Sequence, residues 1–203
     1  LLRDEAVETL SIPSELVNLT YLALECPKLR RIEVEDPMTC LQGLWIGGCE
    51  LQTFSFARKM PHLARLSTHG DRCMDLDGLS HHEHLVSLLI PGTHSLDFAA
   101  IETLKRLTSL SLLNTRCKNV NPILRGKPLV VLSIARTALT NLDGFDRIED
   151  LLSFSASECS LDRLDELRPA SKLASLYMRG TRCPDYEVLS ALSGLKELEL
   201  SGS

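Results

Sequence analysis

The sequence predicts an α/β solenoid of short parallel strands stacked in register, and three observations predict it. First, leucine recurs every 22 residues, at Leu19, Leu41, Leu63, Leu85, Leu107, Leu129, Leu151, Leu173 and Leu195; self-similarity at such a period is the signature of a stacked repeat. Second, apolar residues follow at fixed offsets. Three residues on stand Leu22, Leu44, Leu66, Leu88, Leu110, Leu132, Phe154, Leu176 and Leu198, and two beyond those Leu24, Ile46, Thr68, Ile90, Leu112, Ile134, Ala156, Met178 and Leu200. The alternation in this second half has the period of a strand with one buried face, so nine short strands are expected. Third, aromatic residues make up only 4% of a chain that is 44% hydrophobic, so the core has to be aliphatic.

Each unit reads L-x-x-L-x-L. This motif resembles the leucine-rich-repeat family over nearly the whole chain. The 22-residue length, with a second L-x-x-L further on, is similar to the class shared by phosphatase-regulatory leucine-rich proteins and bacterial internalins. The resemblance implies a curved, right-handed superhelix with the parallel sheet on its concave side. Residues 1–203 are then expected to form a single domain, with a partial unit over 1–18 and 22-residue units starting at 19, 41, 63, 85, 107, 129, 151, 173 and 195. One unit cannot close a core alone, so stacking supplies the burial and an uncovered end exposes an apolar face. Capping segments are expected, yet none is evident after Leu200, and the chain starts at Leu1 rather than Met. A fragment of a longer protein is the expectation.

In the resembled family the ninth position of the unit holds an Asn whose side chain serves the backbone of the turn. Here it holds Pro27, Cys49, Asp71, Thr93, Thr115, Thr137, Cys159, Thr181 and Ser203. Small hydroxyls and thiols still serve backbone groups, so an altered ladder is expected, with an irregular first turn at Pro27. The convex side begins with Val7-x-x-Leu10-x-Ile12, Leu29-x-x-Ile32-x-Val34 and Leu51-x-x-Phe54-x-Phe56, which read as a second set of strands. From residue 73 onward it loosens to Leu76 and Leu79, Val120 and Ile123, Leu142 and Phe145, Leu164 and Leu167, and Tyr186 and Leu189. Three-residue spacing favours short helical turns, and Gly78, Pro122, Gly126 and Gly144 argue against long helices.

Seven cysteines raise a disulfide or metal reading. Cys73, Cys117 and Cys183 fall at the eleventh position, where other units place Leu29, Leu51, Leu139 and Leu161; Cys49 and Cys159 fall at the turn. An odd count without C-x-x-C argues for structural thiols and favours a reducing compartment, against which the glycosylation-type triplet Asn18-Leu19-Thr20 weighs little. His81, His82 and His84 around Glu83 form the one imidazole cluster. Adjacent histidines do not easily share an ion, and the reading is a polar convex loop with no metal and no cofactor.

A net charge of −5 argues against a phosphate-binding surface, for which Arg30 and Arg31 are too few. No stretch approaches the roughly 20 apolar residues of a spanning helix. G-x-S-x-G, H-E-x-x-H and glycine-rich phosphate loops are absent, so no enzyme is expected within these residues.

Function is then expected on the concave face, at the third, fifth and seventh positions of each unit. Serines fill its middle. Near the start lie Tyr21, Trp45, Arg65 and His69, with Trp45 between Gly43 and Gly47 so that its ring should stand open to solvent, the alternative being that it folds over its glycine neighbours to cover sheet. Leu89, Leu113 and Val131 add apolar surface, and Tyr177, Arg179, Glu197 and Glu199 lie near the finish. Trp, Tyr and Arg are the residues most enriched at binding hot spots. These residues point to a module that recognises a protein or peptide, not nucleic acid or membrane. The alternatives are a targeting arm of a multidomain enzyme or secreted bacterial effector, and a plain structural spacer.

Overall fold

The computed structural model describes residues 1–69, 75–80, 82–92, 98–117, 121–143, 145, 147–183 and 185–202, the side chains of 121 and 122 excepted. Asp71, Cys73, His81, Thr93, Val120, Gly144 and Ser203, which enter the expectations above, lie outside the described residues, as does the side chain of Pro122. Two compact units, Leu1–Arg106 and Leu107–Ser203, divide the chain, and the second opens on a repeat leucine.

The first unit contains, in chain order, strands β1 (Leu2–Arg3), β2 (Thr9–Ile12), β3 (Tyr21–Glu25), β4 (Arg31–Val34), β5 (Gly43–Gly47), β6 (Arg65–His69) and β7 (Ser87–Leu89). Its main sheet is parallel, in the order β1-β3-β5-β6-β7. The register is the repeat itself: Tyr21 pairs with Gly43, Gly43 with Arg65 and Arg65 with Ser87. First, fourth and sixth positions turn inward, so Leu41, Leu44, Ile46, Leu63, Leu66, Leu85, Leu88 and Ile90 are buried. The second unit repeats this with β8 (Ser109–Ser111), β9 (Val131–Ser133), β10 (Ser153–Ser155), β11 (Ser175–Tyr177) and β12 (Glu197–Glu199), parallel neighbours in chain order. All nine expected strands form, and β1 adds one more by pairing Leu2 with Leu24. At β12 the inward Leu198 is 46% exposed.

The second segment of each unit changes texture earlier than expected. β2 and β4 pair in parallel as a two-stranded sheet, helped by the β-branched Thr9, Ile12, Ile32 and Val34. The third copy, Leu51 to Phe56, is not a strand. It makes a single parallel bridge, Thr53 to Asp75, and then turns into a 3₁₀ helix over Ser55–Lys59. The Thr53 hydroxyl accepts the Ser55 N–H at 3.0 Å, a local bond that starts the turn, and Ala57, Arg58 and Lys59 favour helix over strand. Later segments are short turns as expected: 3₁₀ helices at Asp77–Leu79, Asp165–Leu167 and Glu187–Ala191, and single α-turns at Ala99–Glu102 and Asn121–Leu124.

One backbone feature recurs behind seven strands among the described residues. At the eighth position Gly48, Gly92, Asn114, Arg136, Glu158, Gly180 and Gly202 all have φ between 55° and 76°. This left-handed residue aims its N–H at the next turn: Gly48 donates to His69 O, Asn114 to Ala135 O, Arg136 to Ser157 O, Glu158 to Arg179 O and Gly180 to Ser201 O, at 2.6–2.9 Å. The first turn lacks it. Cys26 holds the eighth position without positive φ, beside Pro27, and its carbonyl accepts the Leu29 N–H instead.

The ninth position supplies the expected altered ladder. Thr115, Thr137 and Thr181 are buried. The Thr181 hydroxyl donates to Ala156 O at 2.7 Å and the Cys159 thiol to Ile134 O at 3.1 Å, each reaching back one unit. The Thr137 hydroxyl donates to Ile134 O within its own unit at 2.7 Å. Side-chain donors thus satisfy carbonyls that would otherwise be buried unpaired.

Two outcomes follow for stability. Gly48→Ala should cost about 1 kcal/mol in urea unfolding, because the left-handed torsion is unfavourable to a side chain even though a Cβ there meets nothing within 4 Å. Thr181→Val, which keeps the shape and removes the donor to Ala156 O, should cost about 1–3 kcal/mol; an unchanged midpoint would show that the bond contributes nothing.

Candidate partner-binding face

In the first unit the outward residues are set by strand alternation. Tyr21 does not stand free on β3. Its ring lies over Gly43, its registered neighbour on β5, so closely that a Cβ on Gly43 would be 2.5 Å from Tyr21 Cδ2. Trp45 does the same along its own strand: a Cβ on Gly47 would fall 2.3 Å from Cη2 of the indole. The expectation that the Trp45 ring stands open is therefore corrected. The indole folds onto Gly47 and is half-buried, because the bare glycine backbone offers it apolar surface. Tyr21 keeps 59% of its surface exposed.

On the neighbouring strand β6, Arg65 and His69 are exposed, and their side chains form no hydrogen bond or ion pair among the described residues. Arg65 pairs in register with Gly43, the seat of the tyrosine ring, and His69 with Gly47, the seat of the indole. The fold thus brings Tyr21, Trp45, Arg65 and His69 onto three adjacent strands. Glu25 on the first of them is held by Arg3. Leu89 on β7 is exposed.

In the second unit Ser109, Ser111, Ser133, Ser153, Ser155 and Ser175 are all half-buried, a floor of short hydroxyls. Val131 is 41% exposed while Leu113 is half-buried. At the β11–β12 edge the Tyr177 hydroxyl and the Ser175 hydroxyl both donate to the Glu197 carboxylate. The tyrosine bond, then the serine bond, hold the Glu197 carboxyl below the usual carboxylate range, and the same tyrosine bond pushes the Tyr177 hydroxyl up. Glu199 accepts from Ser201 at 3.4 Å and Arg179 is exposed. Of the second unit's site residues, the fold joins Tyr177 and Glu197 directly.

Sequence reasoning missed the eighth position, which lies just past the outward seventh. There Arg136 and Glu158 form an ion pair at 2.7 Å, and the Arg179 charge also lowers the Glu158 carboxyl after the larger effect of Arg136. The signal was present as Gly48, Gly70, Gly92, Gly180 and Gly202 at the 22-residue period.

His82 and His84 of the histidine cluster lie in different settings. His82, expected in a polar loop, is buried, with Nδ1 3.1 Å from Leu79 O and Nε2 3.0 Å from Ala57 O; it fills the slot that Leu104 and Leu192 take elsewhere. His84 is exposed and meets His62 edge to face at 5.1 Å. Among the described residues no three His, Cys, Asp or Glu side chains are placed to hold a metal. Cys26, Cys49, Cys117 and Cys159 are buried thiols, Cys183 is half-buried and Cys40 exposed. No helix of the described residues is long and apolar enough to cross a membrane.

No protein-family model matches the sequence, and no curated protein matches it. Solved structures do. An internalin (InlF) from Listeria monocytogenes aligns over 98% of this chain and 60% of its own, with a TM-score of 0.77 and 18% identity. A Leptospira interrogans LRR protein aligns over 97% of this chain and 52% of its own, with a TM-score of 0.74 and 17% identity. The TLR13–ssRNA13 complex gives 96%, 36%, 0.68 and 19%. The chain therefore spans about half to three-fifths of the internalin and Leptospira proteins, and the likeness is one of fold.

Glu197 provides a titration test. A carboxyl held down in the folded state contributes stability above its unfolded pKa and loses it as pH falls through the lowered value. Tyr177→Phe removes the larger of the two bonds and should move the Glu197 carboxyl back up toward the ordinary range, read by carbon NMR of its side chain. A carboxyl that does not move would show that the hydroxyl does not hold it.

Proposed function

We propose that this chain, a leucine-rich-repeat solenoid, is a recognition module that binds a protein or peptide on the outward face of its strands, with residues 1–203 acting as one repeat domain. The observation that carries the reading is the set Tyr21, Trp45, Arg65 and His69. Two aromatic rings are seated on glycines of a rigid sheet, and beside them two basic side chains have no partner among the described residues. Rings held this way lose little conformational freedom on binding, which is what a pre-organised hot spot requires, and Arg65 and His69 leave their polar groups available to a partner. Leu89 extends the same face with apolar surface, and Ser67 and Ser87 leave room for a partner's backbone.

The second unit contributes a different surface. Its serine floor is flat and able to hydrogen-bond, and Leu113, Tyr177, Arg179, Glu197 and Glu199 give it mixed polar and apolar anchors. Similar solved structures support the module reading through fold alone; the RNA named with one of them is that protein's ligand.

The test treats each unit by itself. Proteins retained from a native lysate by the unchanged chain are identified, and affinities are then measured for Tyr21→Ala with Arg65→Ala and for Tyr177→Ala with Arg179→Ala, each checked for an unchanged melting curve. Loss of about tenfold or more in affinity in at least one pair is expected, as for truncation of hot-spot side chains. Equal binding by both pairs and the unchanged chain would overturn the assignment of the face.

A further inference from the structure

Away from the sheet face, the first unit contains a cleft of about 540 Å³ between β4 and the segment that follows β5. It exists because the third copy of the second motif departs from the strand geometry of the first two. By the 22-residue register Thr53 belongs beside Arg31, yet it bridges to Asp75 on its other side and no backbone bond joins it to β4. The two-stranded sheet therefore ends at β4 with a free edge.

The direction of that edge follows from the bonds that are made. Arg31 N–H donates to Glu8 O and Glu35 N–H to Ile12 O, so these residues of β4 and its end face β2. In a parallel ladder the intervening residues alternate, which turns the N–H and C=O of Ile32 and Val34 toward the cleft. The Lys59 ammonium confirms the side by donating to Val34 O at 2.8 Å. A lysine at a strand edge commonly guards it, but this one covers a single carbonyl of β4. The Ile32 N–H, the Ile32 C=O and the Val34 N–H remain.

The walls select what can pair there. Ile32, Val34, Leu51 and Phe56, all nearly buried, supply apolar lining. The rim carries Arg30, Arg31 and Lys59 against Glu33, and even with Glu50, which Arg30 holds at 2.9 Å, cations outnumber carboxylates. This is a basic cleft on an acidic unit: residues 1–106 contain 10 Lys and Arg against 15 Asp and Glu. We propose that the cleft is a strand-acceptor site, which takes an extended acidic peptide segment as an added strand on the free edge of β4. Main-chain bonds give such addition its affinity and the flanking side chains its selectivity.

Three fluorescein-tagged heptapeptides test this on the whole chain: alternating glutamate–valine, glutamate–proline of equal charge but unable to extend the ladder, and lysine–valine. Glutamate–valine should bind saturably, and each of the others should bind about tenfold more weakly or worse. Amide exchange at Ile32 and Val34 should slow on binding while that at Ser67 stays unchanged. Arg30→Glu with Lys59→Glu, at an unchanged melting curve, should weaken glutamate–valine by about tenfold. No saturation below about 1 mM, equal binding of the proline peptide, or unaltered exchange at Ile32 and Val34 would each overturn the proposal. None of these outcomes bears on the sheet face, whose side chains lie outside the cleft.

Discussion

A left-handed residue at the eighth position of the unit is the constraint on which the rest of the chain depends. It ends the strand, and at Gly48, Asn114, Arg136, Glu158 and Gly180 it aims one N–H at the seventh-position carbonyl of the following unit, so these turns are each tied to the next by a backbone bond. That bond fixes the repeat at 22 residues. A slip of one residue would exchange the inward and outward sets, burying Arg65 and exposing Leu66. Where glycine fills the position the torsion costs nothing. Asn114, Arg136 and Glu158 adopt it at about 1–2 kcal/mol each for a side-chain-bearing residue, and the exposed Arg136–Glu158 pair offsets little of this. The stack imposes the torsion on these residues, rather than these residues making the turn.

The ninth position then decides how the interior between turns is satisfied. An Asn offers donors and an acceptor at once, whereas at Thr137, Thr181 and Cys159 a single side-chain donor serves a carbonyl and at Thr115 the hydroxyl accepts the Cys117 N–H. Thr181 and Cys159 reach back to the sixth-position carbonyl of the preceding unit, which couples neighbouring units, while Thr137 bonds within its own. The Thr137 hydroxyl also lies 3.8 Å from the Cys159 sulfur. A thiol in this place is a working hydrogen-bond donor in the stack, which accounts for cysteines at a turn without invoking redox chemistry or metal.

How much of this was legible follows from which signals are periodic. The inward apolar residues announce every strand of the main sheet except β1, since burial of one face is a period-two pattern that a repeat copies without change. The second segment was legible as strands in two units and as short turns later, and was misread at Leu51–Phe56, where one texture gives way to the other. Leu51, Phe54 and Phe56 keep the apolar spacing of Leu29, Ile32 and Val34, but spacing alone does not separate strand from turn, and the deciding residues were the polar Thr53 and the helix-favouring run from Ala57. On the face, the identities and rows of Tyr21, Trp45, Arg65 and His69 were readable, and their conformations were not. Glycines beside an aromatic residue were read as clearing space around it; in the folded chain they receive it. His82 shows the converse, a polar residue in a leucine slot whose partners, Leu79 O and Ala57 O, become visible only when two turns stack.

Net charge proves a poor guide to what these surfaces attract. Five more acids than bases lie in residues 1–106, while the second unit is balanced at 12 of each, yet within the acidic unit both the outward face around Arg65 and the cleft beside β4 are locally basic. The acids lie largely elsewhere or are already held, as Glu25 is by Arg3, Glu33 by Arg31 and Glu50 by Arg30. At physiological salt, charges more than about 8 Å apart are largely screened, so a docking segment feels the near residues and not the sum. An overall negative charge therefore disfavours binding along an extended polyanion, which would sample the whole unit, but leaves short acidic segments able to meet Arg65 and His69 or Arg30 and Lys59. Selection of that kind arises from where the 22-residue register places its few cations.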